Sequence, residues 1–296
     1  MAPYPEFRGA LTMNKLIQRL LVFIIGVPLT ICLVLYFPQK NHIAVNVAVI
    51  LLSALGAIEF AGMLKKKGST LPSWEAAILG SLAPLAMTLM VSFGWSGQSI
   101  PMALTLGAAW LLVSKVFTGA DKFQDINNQV VGGFAVMIYP GLFMAWIIRM
   151  SLIPLSDMVI LMFLLMVMGN DSLAWAAGML FGKGNRGIVP ASPNKSIAGF
   201  IGGFIVSILV GLGAVLFFPL EFSPTRFSAP LSGILLGLIC GIAGTLGDLG
   251  ESALKRSAGT KDSGTIIPGR GGILDTIDSI ALAAPVYYGL YWLLFN

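Results

Sequence analysis

The chain has 296 residues, of which 56% are hydrophobic and only 10% charged, and its mean hydropathy is +0.88. Those values exclude an ordinary soluble domain and identify an integral membrane protein. The net charge of +5 reports membrane topology rather than a nucleic-acid partner, and none is expected.

Residues 1–12, MAPYPEFRGALT, differ in composition from the rest of the chain and read as a leader ahead of Met13. A bilayer core about 30 Å thick takes about 20 apolar residues per helix. Runs of that kind predict nine transmembrane helices, at 16–37, 43–63, 74–94, 101–118, 131–150, 158–181, 197–218, 229–250 and 277–295. The fourth is short and holds Lys115; the sixth holds Asn170 and Asp171. With the N-terminus cytoplasmic, alternate crossings put 15 of the 18 Lys and Arg inside and leave Lys40, Arg149 and Arg226 outside. The expectation is therefore an all-α polytopic membrane protein with a cytoplasmic N-terminus and an outer C-terminus. Helices within 13–150 form its N-terminal part, and those within 151–296 carry the site, in one membrane domain.

The first five spans are poor in polar residues, and Glu59, in LGAIEFAGML, reads as the one acid inside them. An intramembrane carboxylate is a functional candidate by default. The nearby Lys65, Lys66 and Lys67 favour snorkelling or local pairing instead. Cys32 and Cys240 lie in apolar spans without metal-ligand spacing and read as buried thiols. His42, the single histidine, falls at the far side, so a zinc site is poorly supported.

From residue 165 onward the character changes. Asn170 and Asp171 lie about ten residues short of the inner boundary near Lys183, so both must face protein interior or a cavity. Lys195, in SPNKS, adds a cation just before the next helix, where Pro193 and Ser196 resemble a start signal. If the eighth span continues as a helix past the membrane surface, Gly237, Gly241, Gly244, Asp248, Glu251, Ser252 and Lys255 share one face. Its glycines suit close helix packing. A charge at the end of such a run requires a metal or a cationic partner for Asp248. Asp275 and Asp278, three apart, point the same way; one such acid suits a helix N-terminus, while a pair facing a third acid suits a divalent metal. Carboxylates with room for water favour Mg2+ shared with substrate phosphate. Between these acids stand Lys255, Arg256, Lys261 and Arg270 with PGRGG at 268–272. Interleaved with glycine, they make a metal-and-phosphate site for a polyanionic substrate.

The stretch from Ser252 to Asp278 resembles the signature of the phosphatidate cytidylyltransferases, the CDP-diacylglycerol synthases. The matching residues are Ser252, Lys255, Arg256, Lys261, Asp262, Pro268, Gly271, Gly272, Asp275 and Asp278. Upstream, GDLGES with Asp248 and Glu251, NDSLAW, FGK and SPNKS are also similar, so the resemblance covers about 165–280. Three positions depart from the pattern. Arg270 stands where His is usual, Thr276 where Arg is usual, and Ala198 where Glu is common. Arginine is no proton acceptor near neutral pH, which favours phosphate binding at Arg270.

The resemblance implies that CTP and phosphatidic acid give CDP-diacylglycerol and pyrophosphate, with Mg2+, one ion or more, as cofactor. It implies Asp248 and Asp275 as metal ligands, with Asp278 as a further ligand or a catalytic group behind them. Lys255, Arg256, Lys261 and Arg270 would hold phosphate, and Asp262 joins them as a catalytic residue. Asn170, Asp171, Ser192, Lys195, Ser252, Gly271 and Gly272 would line the nucleotide or headgroup pocket. The compact chain suits a bacterial inner membrane, with the site facing the cytoplasm among membrane lipids, and leaves a homo-oligomer open. A CTP-dependent polyprenol kinase would need similar phosphate chemistry, and an ion-coupled transporter would use Glu59 and Asp171; the intact signature and the one-sided polar residues disfavour both.

Overall fold

The computed structural model describes residues 13–69, 71–116 and 119–296, with side chains described from residue 25 except at 120–122. The expectations for residues 1–12 and for Arg8 fall outside the described residues. The elements are α1 (Met13–Tyr36), α2 (Gln39–Lys65), α3 (Ser73–Phe93), α4 (Ser99–Val113), a 3-10 turn (Ala120–Asp125), α5 (Ile126–Val136), a π turn (Met137–Leu142), α6 (Phe143–Met150), α7 (Ser156–Phe181), α8 (Ile197–Phe217), α9 (Ala229–Ser257) and α10 (Leu274–Phe295). Among the described residues the only bridges between extended segments are isolated ones, Arg186 with Ser196 and Ile267 with Gly271.

All nine expected runs are helical, α5 and α6 joining through the π turn as the fifth. Seven of the helical stretches are long and apolar enough to cross a bilayer; the described apolar part of α1, Ile25–Tyr36, and α4 are shorter. The protein is thus an all-helical polytopic membrane protein. The fourth helix is short, and its end is tied to α3 by a pairing that sequence spacing does not reveal. Glu75, at the start of α3 and 3% exposed, accepts from Trp110 Nε1 at 2.9 Å and pairs with Lys115 Nζ at 3.4 Å. Glu59 is therefore not the one acid within the first five spans.

Packing follows the small residues. α7 packs on α8, α8 on α9 and α9 on α10, while α2 packs on α3 and α10 also meets α2 and α6. The expected stripe on α9 does this work. A Cβ at Gly237 would overlap the Ser207 carbonyl of α8, and one at Gly241 would lie 2.8 Å from Ser207 Oγ and from Asn170 Nδ2. Only glycine lets these backbones approach so closely.

Interhelix links sort to two ends. At one end are Glu59 with Ile273 and Leu274, Lys195 with Asp248, and Arg256 with the Ala191 carbonyl. At the other are His42 with Ser156 and Asp157, Arg149 with Tyr288, and Thr225 with Leu294. The first end gathers the polar loops 182–196 and 258–273.

Candidate active site

α9 runs on to Ser257, so its polar end projects beyond the expected boundary at 250 and carries Asp248, Glu251, Ser252 and Lys255 along one face. Lys255 Nζ is ion-paired with Glu251 Oε2, one helical turn back. It also lies 2.5 Å from Asp275 Oδ1 at the start of α10. Glu251 is fully buried, and besides that ion pair its carboxylate meets the carboxyl group of Asp278. Asp248 meets the cationic partner that its position demanded: Lys195 Nζ lies 2.6 Å from Oδ2, over the Phe200 ring at 5.7 Å. Ser252 Oγ reaches Asp248 Oδ1 at 3.4 Å.

The loop between α9 and α10 is held by carboxylates. Asp275 Oδ2 accepts from Ser263 N at 2.8 Å, Ser263 Oγ at 2.8 Å and Gly272 N at 2.7 Å. Gly271 N donates to the Ile267 carbonyl at 3.0 Å. The amides of Gly271 and Gly272 are thus taken up inside the loop. In this arrangement these glycines make room for acids. A Cβ at Gly271, where φ is +115°, would lie 2.5 Å from Asp275 Oδ2.

Asp278 is buried, with Oδ1 accepting from Ser279 N at 2.6 Å, and it lies within electrostatic range of Asp248, Glu251 and Asp171. Asp171, whose side chain contacts Ser279, is within range of Asp248, Lys195 and Arg270. Five of the singled-out acids therefore share one region with Lys195, Lys255 and Arg270. Asn170 instead joins three helices: its Nδ2 donates to Ser207 Oγ at 3.1 Å and its Oδ1 accepts from Thr245 Oγ1 at 3.3 Å. Lys261 and Asp262 are exposed, Ser192 is half-buried, and exposed Arg256 reaches the Ala191 carbonyl at 3.4 Å. Thr276 Oγ1 bonds back to the Gly272 carbonyl at 3.2 Å.

Two residues from the N-terminal half join this region. Glu59 bonds not to lysines but to the loop, accepting from Ile273 N at 3.0 Å and Leu274 N at 2.8 Å, with Oε2 3.0 Å from Ser263 Oγ, whose one proton it shares with Asp275. Tyr139, in the π turn, lies within electrostatic range of Asp278, Glu251, Asp248 and Asp275, and its buried hydroxyl has no hydrogen-bond partner. The available signal for Glu59 was negative: positions 55, 56, 62 and 63 carry no base, so no helical neighbour could pair with it.

Among the described residues no three His, Cys, Asp or Glu converge ready to hold a metal ion; lysines sit on Asp248 and Asp275 instead. The donor chemistry nevertheless fits a hard cation such as Mg2+. Carboxylates outnumber the cations beside them, and buried Glu251 shares its one lysine with Asp275.

A bundle of membrane-crossing helices with interleaved acids, lysines and a glycine-bearing loop at one end defines a polytopic membrane protein with a charged site at one end of its bundle. The model of the cytidylyltransferase family matches residues 17–294, and the chain belongs to that family. It is 33% identical over 197 residues to the uncharacterized protein YnbB of Escherichia coli, a match covering 64% of this chain and 61% of that protein. It is 45% identical over 124 residues to a phosphatidate cytidylyltransferase of Staphylococcus aureus, covering 41% of this chain and 44% of that protein. With a phosphatidate cytidylyltransferase of Synechocystis it shares 41% over 119 residues, covering 38% and 39%. The matches thus span less than two thirds of each relative's length.

Proposed function

We propose that this protein transfers CMP from CTP to phosphatidic acid at the cytoplasmic face of a bacterial inner membrane, giving CDP-diacylglycerol and pyrophosphate. A phosphate oxygen of phosphatidic acid forms a bond to the α-phosphorus of CTP. The bond from that phosphorus to the oxygen bridging to the β-phosphate breaks, and pyrophosphate leaves. The names of the Staphylococcus and Synechocystis relatives and the family membership support the reading. The observation that carries it is the pair of fixed lysines, Lys195 on Asp248 at 2.6 Å and Lys255 on Asp275 at 2.5 Å, contributed by separate segments at one end of the bundle.

Both reactants are anions, so the barrier is largely electrostatic and needs no protein nucleophile. Lys195 and Lys255 have their ammonium groups held by acids, which fixes two cations for phosphate in advance of binding. Arg270, Arg256 and Lys261 add charge at the rim. Asp248, Asp275 and Asp278 would hold Mg2+, which when bound would neutralise phosphate charge and orient the leaving group.

The test is an incubation of the purified protein in mixed micelles with labelled CTP, Mg2+ and either phosphatidic acid or a polyprenol. The expected product is phosphatidate-derived lipid carrying CMP, with pyrophosphate released and turnover lost on chelation. Asp248→Asn and Asp275→Asn should each lower turnover at least about 100-fold in protein that stays folded, the scale of lost electrostatic stabilisation. Label transferred to polyprenol as phosphate alone, or near wild-type rates in either variant, would refute the assignment.

A further inference from the structure

We infer that Glu59 of α2 is a positioning residue for this site, a buried peg that holds the 258–273 loop and the first turn of α10 so that Asp275 and Lys255 stand in register. What the site does rests on the function proposed above; what Glu59 does rests on geometry alone.

The amides that begin α10 have no cap from their own segment: the residue before the helix, Ile273, offers no side-chain acceptor. Such amides must find acceptors, and a negative group there also suits the helix dipole. Glu59 supplies both needs from another helix, Oε1 taking Ile273 N and Oε2 taking Leu274 N. The same Oε2 lies 3.0 Å from Ser263 Oγ, which is itself 2.8 Å from Asp275 Oδ2. One serine therefore links the peg to an acid of the site, and the Ser263 backbone amide makes a second link to that acid.

The loop is shaped around this carboxylate. A Cβ at Gly264 would overlap Glu59 Oε1, and a Cβ at Gly272 would overlap Glu59 Oε2. Two glycines thus leave a slot of carboxylate size. Glu59 is 8% exposed, and every contact described for its carboxylate belongs to the loop or α10. Its effect on substrate is consequently indirect, through Ser263 and Asp275. Glutamine at 59 would keep the length but turn an N–H2 toward amide donors; alanine at 264 would push the carboxylate out while leaving it charged.

The experiment compares full-length wild type, Glu59→Gln, Gly264→Ala and the double variant in detergent with Mg2+. Hydrogen exchange is followed at the amides of Ile273 and Leu274, and kcat and KM for CTP are measured per folded molecule. We expect exchange at those two amides to quicken at least 10-fold in Glu59→Gln, kcat to fall at least 10-fold, and KM to stay within two-fold. Gly264→Ala should reproduce the loss, and the double variant should be no worse than the weaker single. If Glu59→Gln does not fold, Gly264→Ala alone decides by the same measurements. Unchanged exchange, an unchanged kcat, or losses that multiply in the double variant would overturn the inference. Wild type that transfers no CMP to phosphatidic acid would defeat the proposed function instead, while the exchange measurement would still decide the role of Glu59.

Discussion

Lys255→Met is the substitution whose effect on stability derives most directly from the site. The ammonium group lies between Glu251, which is fully buried, and Asp275, whose side chain is 6% exposed. The two acids depend on it unequally. Asp275 keeps three donors after the change, Ser263 N, Ser263 Oγ and Gly272 N. Glu251 keeps only its contact with the Asp278 carboxyl group. Stranding one member of a buried ion pair costs roughly 3–5 kcal/mol, and nearly all of that falls on Glu251. Replacing both partners with apolar groups of similar size is close to neutral, so Glu251→Leu in the Lys255→Met background should return stability to within about 1 kcal/mol of wild type. Activity should stay lost, because the proposed reaction needs that cation for phosphate. Denaturant titration in mixed micelles measures the first quantity, and labelled CTP incorporation into lipid the second. A Lys255→Met variant as stable as wild type, or a double variant no more stable than the single, would show that the pair does not carry the burial of Glu251.

Two further outcomes test the packing beneath the site. Gly237→Ala drives a methyl into the Ser207 carbonyl, backbone against backbone with no side chain free to yield; it should destabilise by about 1–3 kcal/mol, and an unfolding midpoint equal to wild type would contradict the close α8–α9 approach. Tyr139→Phe removes a buried hydroxyl that has no partner, so stability should be unchanged or higher; a lowered midpoint by the same titration would mean that the hydroxyl is bonded.

The fold was legible because lipid imposes one demand, about 20 apolar residues per crossing, and seven of the runs answer it among the described residues. The expected 74–94 and 197–218 match Ser73–Phe93 and Ile197–Phe217 within a residue. The spacing of three and four along α9 likewise put Asp248, Glu251 and Lys255 on one face before any coordinates. What spacing could not supply is who sits opposite. Asp248 called for a metal or a cation, and only the fold brings Lys195 to it from 53 residues away. The Lys115–Glu75 pair was hidden for the same reason, since each half lies at the end of a different apolar run. The π turn that aims Tyr139 breaks the 3.6-residue period on which helical spacing relies, with Pro140 its one visible mark.

Glu59 is the deepest of these omissions, and its invisibility has a physical cause. Two of its three partners are backbone amides, more than 200 residues away, and an amide N–H is the same whatever residue bears it. The resemblance read in the sequence covers about 165–280, yet the family model matches 17–294. The structure reconciles the two spans. The carboxylate at 59 lies in α2, outside the resembling stretch, yet it fills a slot shaped by Gly264 and Gly272 within that stretch. Without that peg Asp275 would be the one carboxylate holding the α9–α10 loop, and an acid that is also paired with Lys255 is poorly suited to hold its own loop. The apolar half thus supplies the fixed point, and the polar half is left free for charge.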